Sequence, residues 1–124
     1  MFTINGETWY IVFVPSNSFV LYRSDGSLSI AMCDDDTKTI YISNQIKGNF
    51  LRKVLCHEIT HAAMFSYNVN LTVDQEELLA DLVATYGYEI IYITNEIFRK
   101  LKWESYYYDS HIFIILKSRF FLIS

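Results

Sequence analysis

The chain has 124 residues, of which 52% are hydrophobic and 19% are charged, and its net charge is −4. This composition predicts one folded domain and excludes a disordered chain. The negative charge argues against direct nucleic-acid binding. No membrane association is expected either, because no segment reaches the roughly 18 consecutive apolar residues that a membrane helix needs.

The N-terminal segment and the two cysteines indicate the cellular compartment. Residues 1–7 contain no basic region followed by an apolar run, so they do not resemble a signal peptide. Cys33 and Cys56 could form one disulfide. Without a signal peptide, reduced thiols in a cytoplasmic protein are the expectation.

The first third of the chain predicts β-structure. Four segments are rich in β-branched and aromatic residues or alternate in hydrophobicity, namely residues 8–14, 18–22, 28–32 and 39–43. Pro15 ends the first segment. The last two are predicted to form a hairpin.

Two helices are predicted to follow the strands. The first has Asn49 as its N-cap and runs to about Tyr67, since apolar residues recur there at spacings of three and four. The second opens at Thr72 with a capping-box pattern that includes Gln75. It continues to about residue 102. A long apolar stripe follows it: Leu78, Leu82, Tyr86, Ile90, Ile93, Ile97 and Leu101.

These elements predict a small α+β domain with an N-terminal antiparallel sheet of about four strands and two main helices. Residues 1–102 are assigned to the domain. Residues 103–124 are assigned to a C-terminal extension of unknown role. Its high apolar content favours a homodimer formed through this extension.

The first predicted helix contains an HExxH motif formed by His57, Glu58 and His61. Histidines four residues apart lie on one face of a helix and can bind one zinc ion. Glu58 can act as the catalytic base without binding the metal. The motif therefore predicts a zinc metallopeptidase, and it is favoured over two surface histidines because it contains two of the three histidines in the chain.

A catalytic zinc site needs a third protein ligand, and the second helix offers candidates. Glu77 and Asp81 lie one turn apart, so Glu77 would complete the zinc shell while Asp81 would accept the spare N–H of a ligand histidine. Glu76 is interpreted as an exposed residue at the helix N-terminus. Glu76, Asp81 and the distant His111 remain open as alternative third ligands.

Other side chains near the motif have less specific interpretations. Cys56 lies about 100° around the helix from His57, which favours core packing over a role as fourth ligand. An oxyanion could be stabilised by Tyr67, Tyr86 or Tyr88, and the choice among them stays open. Tyr86 is favoured as a core residue because it falls on the apolar stripe.

The order of these elements resembles the ImmA/IrrE family of metallopeptidases, which are zincins common in bacteria, phages and integrative elements. A strand at residues 39–43 precedes the helix with LCHEITHA, and the helix with ELLADLVA follows. The resemblance covers roughly residues 28–100. It implies a zincin-like fold, with His57, His61 and Glu77 as zinc ligands and Glu58 as the base.

The same resemblance implies a substrate class. Family members act on helix-turn-helix repressors, so the expected activity is zinc-dependent endopeptidase cleavage of a protein partner, such as a repressor of a phage or mobile element. One alternative is a zincin-like binding module that retains the metal and sequesters its partner without turnover. A structural zinc site is disfavoured, because it would usually use four cysteine or histidine ligands.

Overall fold

The computed structural model describes residues 1–104, with side chains described to residue 102. Four strands come first, followed by two helices: β1 (Phe2–Ile4), β2 (Glu7–Val14), β3 (Ala31–Asp34), β4 (Thr39–Ser43), α1 (Gly48–Ser66) and α2 (Val73–Glu104). The predicted α+β class is confirmed. Residues 105–124, which include His111 and most of the predicted extension, lie outside the described residues.

The four strands form one sheet in the order β1-β2-β4-β3. The outer pairs, β1 with β2 and β3 with β4, are antiparallel, as the predicted hairpin requires. The central pair, β2 with β4, is parallel, which the prediction of an antiparallel sheet did not include. Within the described residues, β3 therefore occupies an edge of the sheet.

The β1–β2 hairpin is an element that the sequence analysis missed. Its two-residue turn consists of Asn5 and Gly6, whose φ angles are 49° and 77°. Positive φ at both central positions is the requirement of a type I′ turn, for which Asn-Gly is the preferred dipeptide. The Asn-Gly sequence was therefore a sufficient signal for this hairpin.

The strand predicted at residues 18–22 is wrong. This segment contains a short 3-10 helix, Phe19–Leu21. Local bonds fix it: the Ser18 N–H donates to the Pro15 carbonyl (2.9 Å), and the Leu21 N–H donates to the Ser18 carbonyl (3.1 Å). Leu21 is fully buried, and Tyr22 pairs with Leu28 in an isolated bridge rather than in a strand.

The strand predicted at residues 28–32 begins later than expected, because β3 starts at Ala31. Ser29 instead makes two hydrogen bonds to the Leu21 carbonyl, from its backbone N–H (2.9 Å) and from its hydroxyl (2.7 Å). These bonds hold the loop before β3 against the 3-10 helix.

The core lies between the sheet and α1. Trp9, Ile40 and Ile42 are fully buried on the sheet, and Val54 and Ala62 meet them from the helix. The large buried apolar area is the main stabilising term in such a contact. It fixes the position of α1 and of the motif that the helix carries.

One polar contact also joins the sheet to the end of α1. The indole N–H of Trp9 donates to the Ser66 hydroxyl (2.8 Å), and the Asn5 amide donates to the Ser66 carbonyl (2.9 Å). Because the indole is buried, it requires a hydrogen-bond acceptor. The N-terminal strands are therefore tied to the last turn of the motif helix.

The helix starts were predicted with unequal success. The α1 helix begins at Gly48, with Lys47 as the flanking residue, so the predicted N-cap at Asn49 is wrong. The α2 capping box is confirmed: the Gln75 N–H donates to the Thr72 hydroxyl (3.2 Å), and the Thr72 N–H donates to the Gln75 side chain (3.1 Å).

Residues 79–84 provide most of the buried apolar side of α2 in the first half of the helix. Ala80 is fully buried, and Leu79, Val83 and Ala84 are half-buried. The predicted stripe of large residues is largely exposed: Leu78 is 69% exposed and Tyr86 is 54% exposed. The interpretation of Tyr86 as a core residue is therefore wrong.

The chain divides into two compact units, Met1–Gly87 and Tyr88–Ser124. All predicted site residues from the motif and from the first turns of α2 belong to the first unit. In the described part of the chain, no helix combines the length and the hydrophobicity that crossing a membrane requires.

Candidate metal centre

The two motif histidines lie side by side on α1. Their ring centroids are 4.8 Å apart, and the Nε2 atom of His57 lies 3.1 Å from the Nε2 atom of His61. His61 is buried, at 8% exposure, and His57 is half-buried. This closeness follows from their spacing of one helical turn.

The Glu77 carboxylate on α2 faces both histidines. Its Oε2 atom is 3.3 Å from His57 Nε2, and its Oε1 atom is 3.1 Å from His61 Nε2. One donor atom from each of the three residues lies within 4.8 Å of the others, so the group could hold a metal ion. The structure thus brings together the three residues that the sequence analysis chose as ligands.

The opposite ring nitrogens face two other carboxylates. Asp81 Oδ1 lies 2.9 Å from His57 Nδ1, which is the position predicted for Asp81. Glu76 Oε1 lies 3.0 Å from His61 Nδ1. With a metal ion bound at the Nε2 atoms, each Nδ1–H would donate to its carboxylate, since an ionised carboxylate only accepts hydrogen bonds.

Glu76 is the site residue whose role the sequence analysis missed. The prediction of an exposed side chain at the helix N-terminus is wrong, because Glu76 is half-buried against His61. It does lie in the first turn of α2, as predicted. A chemical argument could have found it. Each ligand histidine needs a hydrogen-bond acceptor for its second ring nitrogen, and Asp81 can serve only one of the two histidines.

The donor set fits a zinc ion. The Nε2 atoms of the two histidines and one oxygen of Glu77 would supply three protein ligands, and imidazole nitrogen and carboxylate oxygen are both typical zinc donors. Zinc bonds of about 2.0–2.1 Å in a tetrahedral shell place neighbouring donors roughly 3.3 Å apart. The two Nε2 atoms are 3.1 Å apart, which is close to that spacing, and each lies 3.1 to 3.3 Å from one of the two Glu77 oxygens.

Glu58, the predicted base, lies beside the histidines and is only 8% exposed. Burial raises the pKa of its carboxyl group, whereas the nearby His61 and His57 act in the opposite direction. A carboxylate with a raised pKa is a better proton acceptor than an exposed one. Its position is therefore consistent with the role predicted for it.

An open cleft runs over these residues. It is lined by His57, Glu58 and His61 from α1 and by Cys33 from the edge strand β3. Burial, and then the negative charge of Glu58, raise the pKa of the Cys33 thiol, so this cysteine stays protonated. Arg23 also lines the cleft, and the sequence analysis did not select it.

The remaining candidates lie away from the cleft. The Cys56 thiol is 3.8 Å from the Val83 carbonyl of α2, in agreement with the expected packing role. Tyr67 and Tyr86 are not among the side chains that line the cleft, and both are exposed. The choice of an oxyanion-stabilising tyrosine therefore gains no support from the described residues.

Comparison with known proteins gives no assignment. No family model, no curated protein and no solved structure matches the chain. The functional interpretation consequently depends on the residues of the site and on their geometry.

Proposed function

We propose that this protein is a zinc-dependent endopeptidase whose metal ion is held by His57, His61 and Glu77. The observation that carries the proposal is the convergence of both Nε2 atoms with the Glu77 carboxylate, of which one oxygen would bind the metal, while each Nδ1 faces another carboxylate. Three protein ligands leave one position of a tetrahedral shell for water or substrate, which is typical of a catalytic site.

Different residues of the site would perform different steps of peptide hydrolysis. Zinc bound here would lower the pKa of a water molecule and polarise the substrate carbonyl. Glu58 accepts a proton from the attacking water as its oxygen bonds to the carbonyl carbon. Glu58 then gives that proton to the amine nitrogen as the C–N bond breaks. Asp81 and Glu76 keep the histidines in the tautomer that binds metal.

The edge strand supports a peptide as substrate. The Ser43 N–H donates to the Ile30 carbonyl (2.9 Å), and backbone direction alternates along an antiparallel strand. The N–H and C=O groups of Ala31 and Cys33 therefore point away from β4. Both residues line the cleft, so an extended peptide could pair with them beside Glu58.

The resemblance to the ImmA/IrrE family supports a more specific substrate. A helix-turn-helix repressor of a phage or mobile element is the protein partner that this resemblance implies. Such a partner would be met in the cytoplasm, where free thiols are expected. Cys33 and Cys56 are both free thiols, which agrees with that location.

The Glu58→Gln variant tests the proposal. Wild-type and variant proteins, each loaded with zinc and analysed for metal, are incubated with a proteome-derived peptide library. We expect equal zinc content and a rate of cleavage that is lower in the variant by about 10²- to 10⁴-fold.

Two results would contradict the peptidase proposal. Absence of zinc-dependent cleavage by the wild-type protein would favour the alternative of a metal-retaining binding module. Equal cleavage by both proteins would show that Glu58 is not the base.

A further inference from the structure

Two clefts meet at the proposed metal centre. Both are lined by Arg23, Ala31, His57, Glu58 and Glu77. A substrate that reaches Glu58 can therefore extend into either cleft, and each cleft forms one arm of the site. The side chains that line an arm determine which substrate groups that arm can bind.

The two arms differ in chemistry. Beyond the shared residues, one arm continues past the apolar side chains of Met32, Phe65 and Val73. The other arm continues past Phe50, Lys53 and Val54 on α1 and past Asp81 on α2. Both arms have apolar side chains, but only the arm with Lys53 adds a second cation to Arg23, which lines both clefts.

The fold fixes the backbone positions of these two exposed cations. Lys53 precedes His57 by four residues and therefore lies on the same face of α1. Arg23 follows the buried Leu21 and sits in a turn in which its N–H donates to the Ser27 carbonyl (2.7 Å). The Gly26 N–H donates to the Arg23 carbonyl (2.9 Å) and closes that turn.

Neither the Arg23 guanidinium nor the Lys53 ammonium group forms a salt bridge with a carboxylate in residues 1–104. The charge of Arg23 acts on the Glu58 and Asp25 carboxyl groups from beyond salt-bridge distance. The nearby acids Glu76, Glu77 and Asp81 instead face the histidines. Two cations beside a reaction centre, without a salt bridge in the described protein, offer a binding site for an anion of the substrate.

We propose that Arg23 and Lys53 determine specificity by binding a substrate carboxylate next to the scissile peptide bond. The carboxylate belongs to an aspartate or glutamate side chain or to the free C-terminus of a peptide. An apolar residue occupies the arm lined by Met32, Phe65 and Val73. This inference rests on the proposed peptidase function and adds the substrate class to it.

The profile of cleavage sites is the first test. The zinc-loaded wild-type protein is incubated with a proteome-derived peptide library, and the cut sites are read by mass spectrometry. We expect acidic residues, or the peptide C-terminus, to be enriched within about two residues of the cut. Cleavage without this enrichment overturns the inference and leaves the peptidase function intact. Absence of zinc-dependent cleavage overturns both.

A matched set of peptides then assigns the preference to residues and identifies the source of the carboxylate. One well-cleaved peptide is compared with its Glu→Gln counterpart and with its C-terminal amide. We expect kcat/KM of the wild-type protein to fall about fivefold for the counterpart that lacks the recognised carboxylate. No fall with either counterpart overturns the inference.

Variants of the two cations complete the test. Arg23→Gln and Lys53→Gln should bring the kcat/KM ratio of the acidic and neutral peptides towards one. Arg23→Lys and the surface control Lys100→Gln should keep most of the preference. If Arg23→Gln and Lys53→Gln slow both peptides equally, the cations act on the reaction centre rather than on the substrate carboxylate, and the inference is wrong.

Discussion

At the scale of single residues, the important feature is which nitrogen of each histidine carries the proton. Asp81 lies 2.9 Å from His57 Nδ1, and Glu76 lies 3.0 Å from His61 Nδ1. These contacts leave both Nε2 atoms available to a metal ion. Carboxylates that accept the second N–H of a ligand histidine also raise its basicity.

We therefore expect Asp81→Ala and Glu76→Ala each to weaken zinc binding by about 10- to 100-fold, because each frees one histidine to turn or to change tautomer. The measurement is a zinc titration in competition with a chelator. Asp74→Ala is the control, since Asp74 also lies in the first turn of α2. Zinc affinities of the Asp81 and Glu76 variants equal to that of Asp74→Ala would refute this role.

At the scale of elements, the start of α2 positions the carboxylates of the site. The reciprocal bonds between Thr72 and Gln75 fix the first turn, and Glu76 and Glu77 follow immediately. We expect Thr72→Ala to lower the free energy of unfolding by about 1 kcal/mol, since the Gln75 N–H loses its acceptor.

Urea unfolding measures this change. Thr94→Ala serves as the control, because the Thr94 hydroxyl lies inside α2, is exposed and donates to the Ile90 carbonyl (2.7 Å). An equal loss of stability in both variants would show that the capping box has no special role.

The contact between the sheet and the end of α1 gives a second prediction at this scale. Ser66→Ala leaves the buried Trp9 indole N–H without its acceptor, so we expect a loss of about 1–3 kcal/mol in the free energy of unfolding. Denaturant unfolding with tryptophan fluorescence reports it. The exposed Ser16→Ala should change little, and a Ser66→Ala protein as stable as that control would contradict the prediction.

The features that the sequence predicted well are those that nearby residues determine. The α2 capping box depends on two residues three positions apart, and the spacing of His57 and His61 depends on a single helical turn. The segment at residues 39–43 is strand β4 as predicted, because its alternation matches a pleated strand.

Two of the mispredicted features involve burial or packing that a local pattern does not reveal. The β-branched and aromatic composition of residues 18–22 favours a strand, but Leu21 is buried and local hydrogen bonds form a 3-10 helix. The role of Glu76 depends on the packing of α2 against α1, which brings it to His61, 15 positions earlier in the chain. The local propensity of a segment predicts neither the burial of Leu21 nor the contact between Glu76 and His61.

At the scale of the molecule, the proposed zinc ion joins two helices that the sequence keeps separate. His57 and His61 belong to α1, whereas Glu77 belongs to α2. The core holds α1 on the sheet, and the site lies beside the edge strand β3. The predicted homodimer through residues 103–124 stays a prediction, because it falls mainly on residues outside those described.

The central claim is that this arrangement holds zinc, and elemental analysis of the purified protein tests it most directly. The wild-type protein is compared with a His57→Ala/His61→Ala double variant after purification without metal-affinity steps or added zinc. We predict one zinc ion per wild-type chain and close to none in the variant. A wild-type protein that contains no more zinc than the double variant, even after incubation with zinc, would contradict the account.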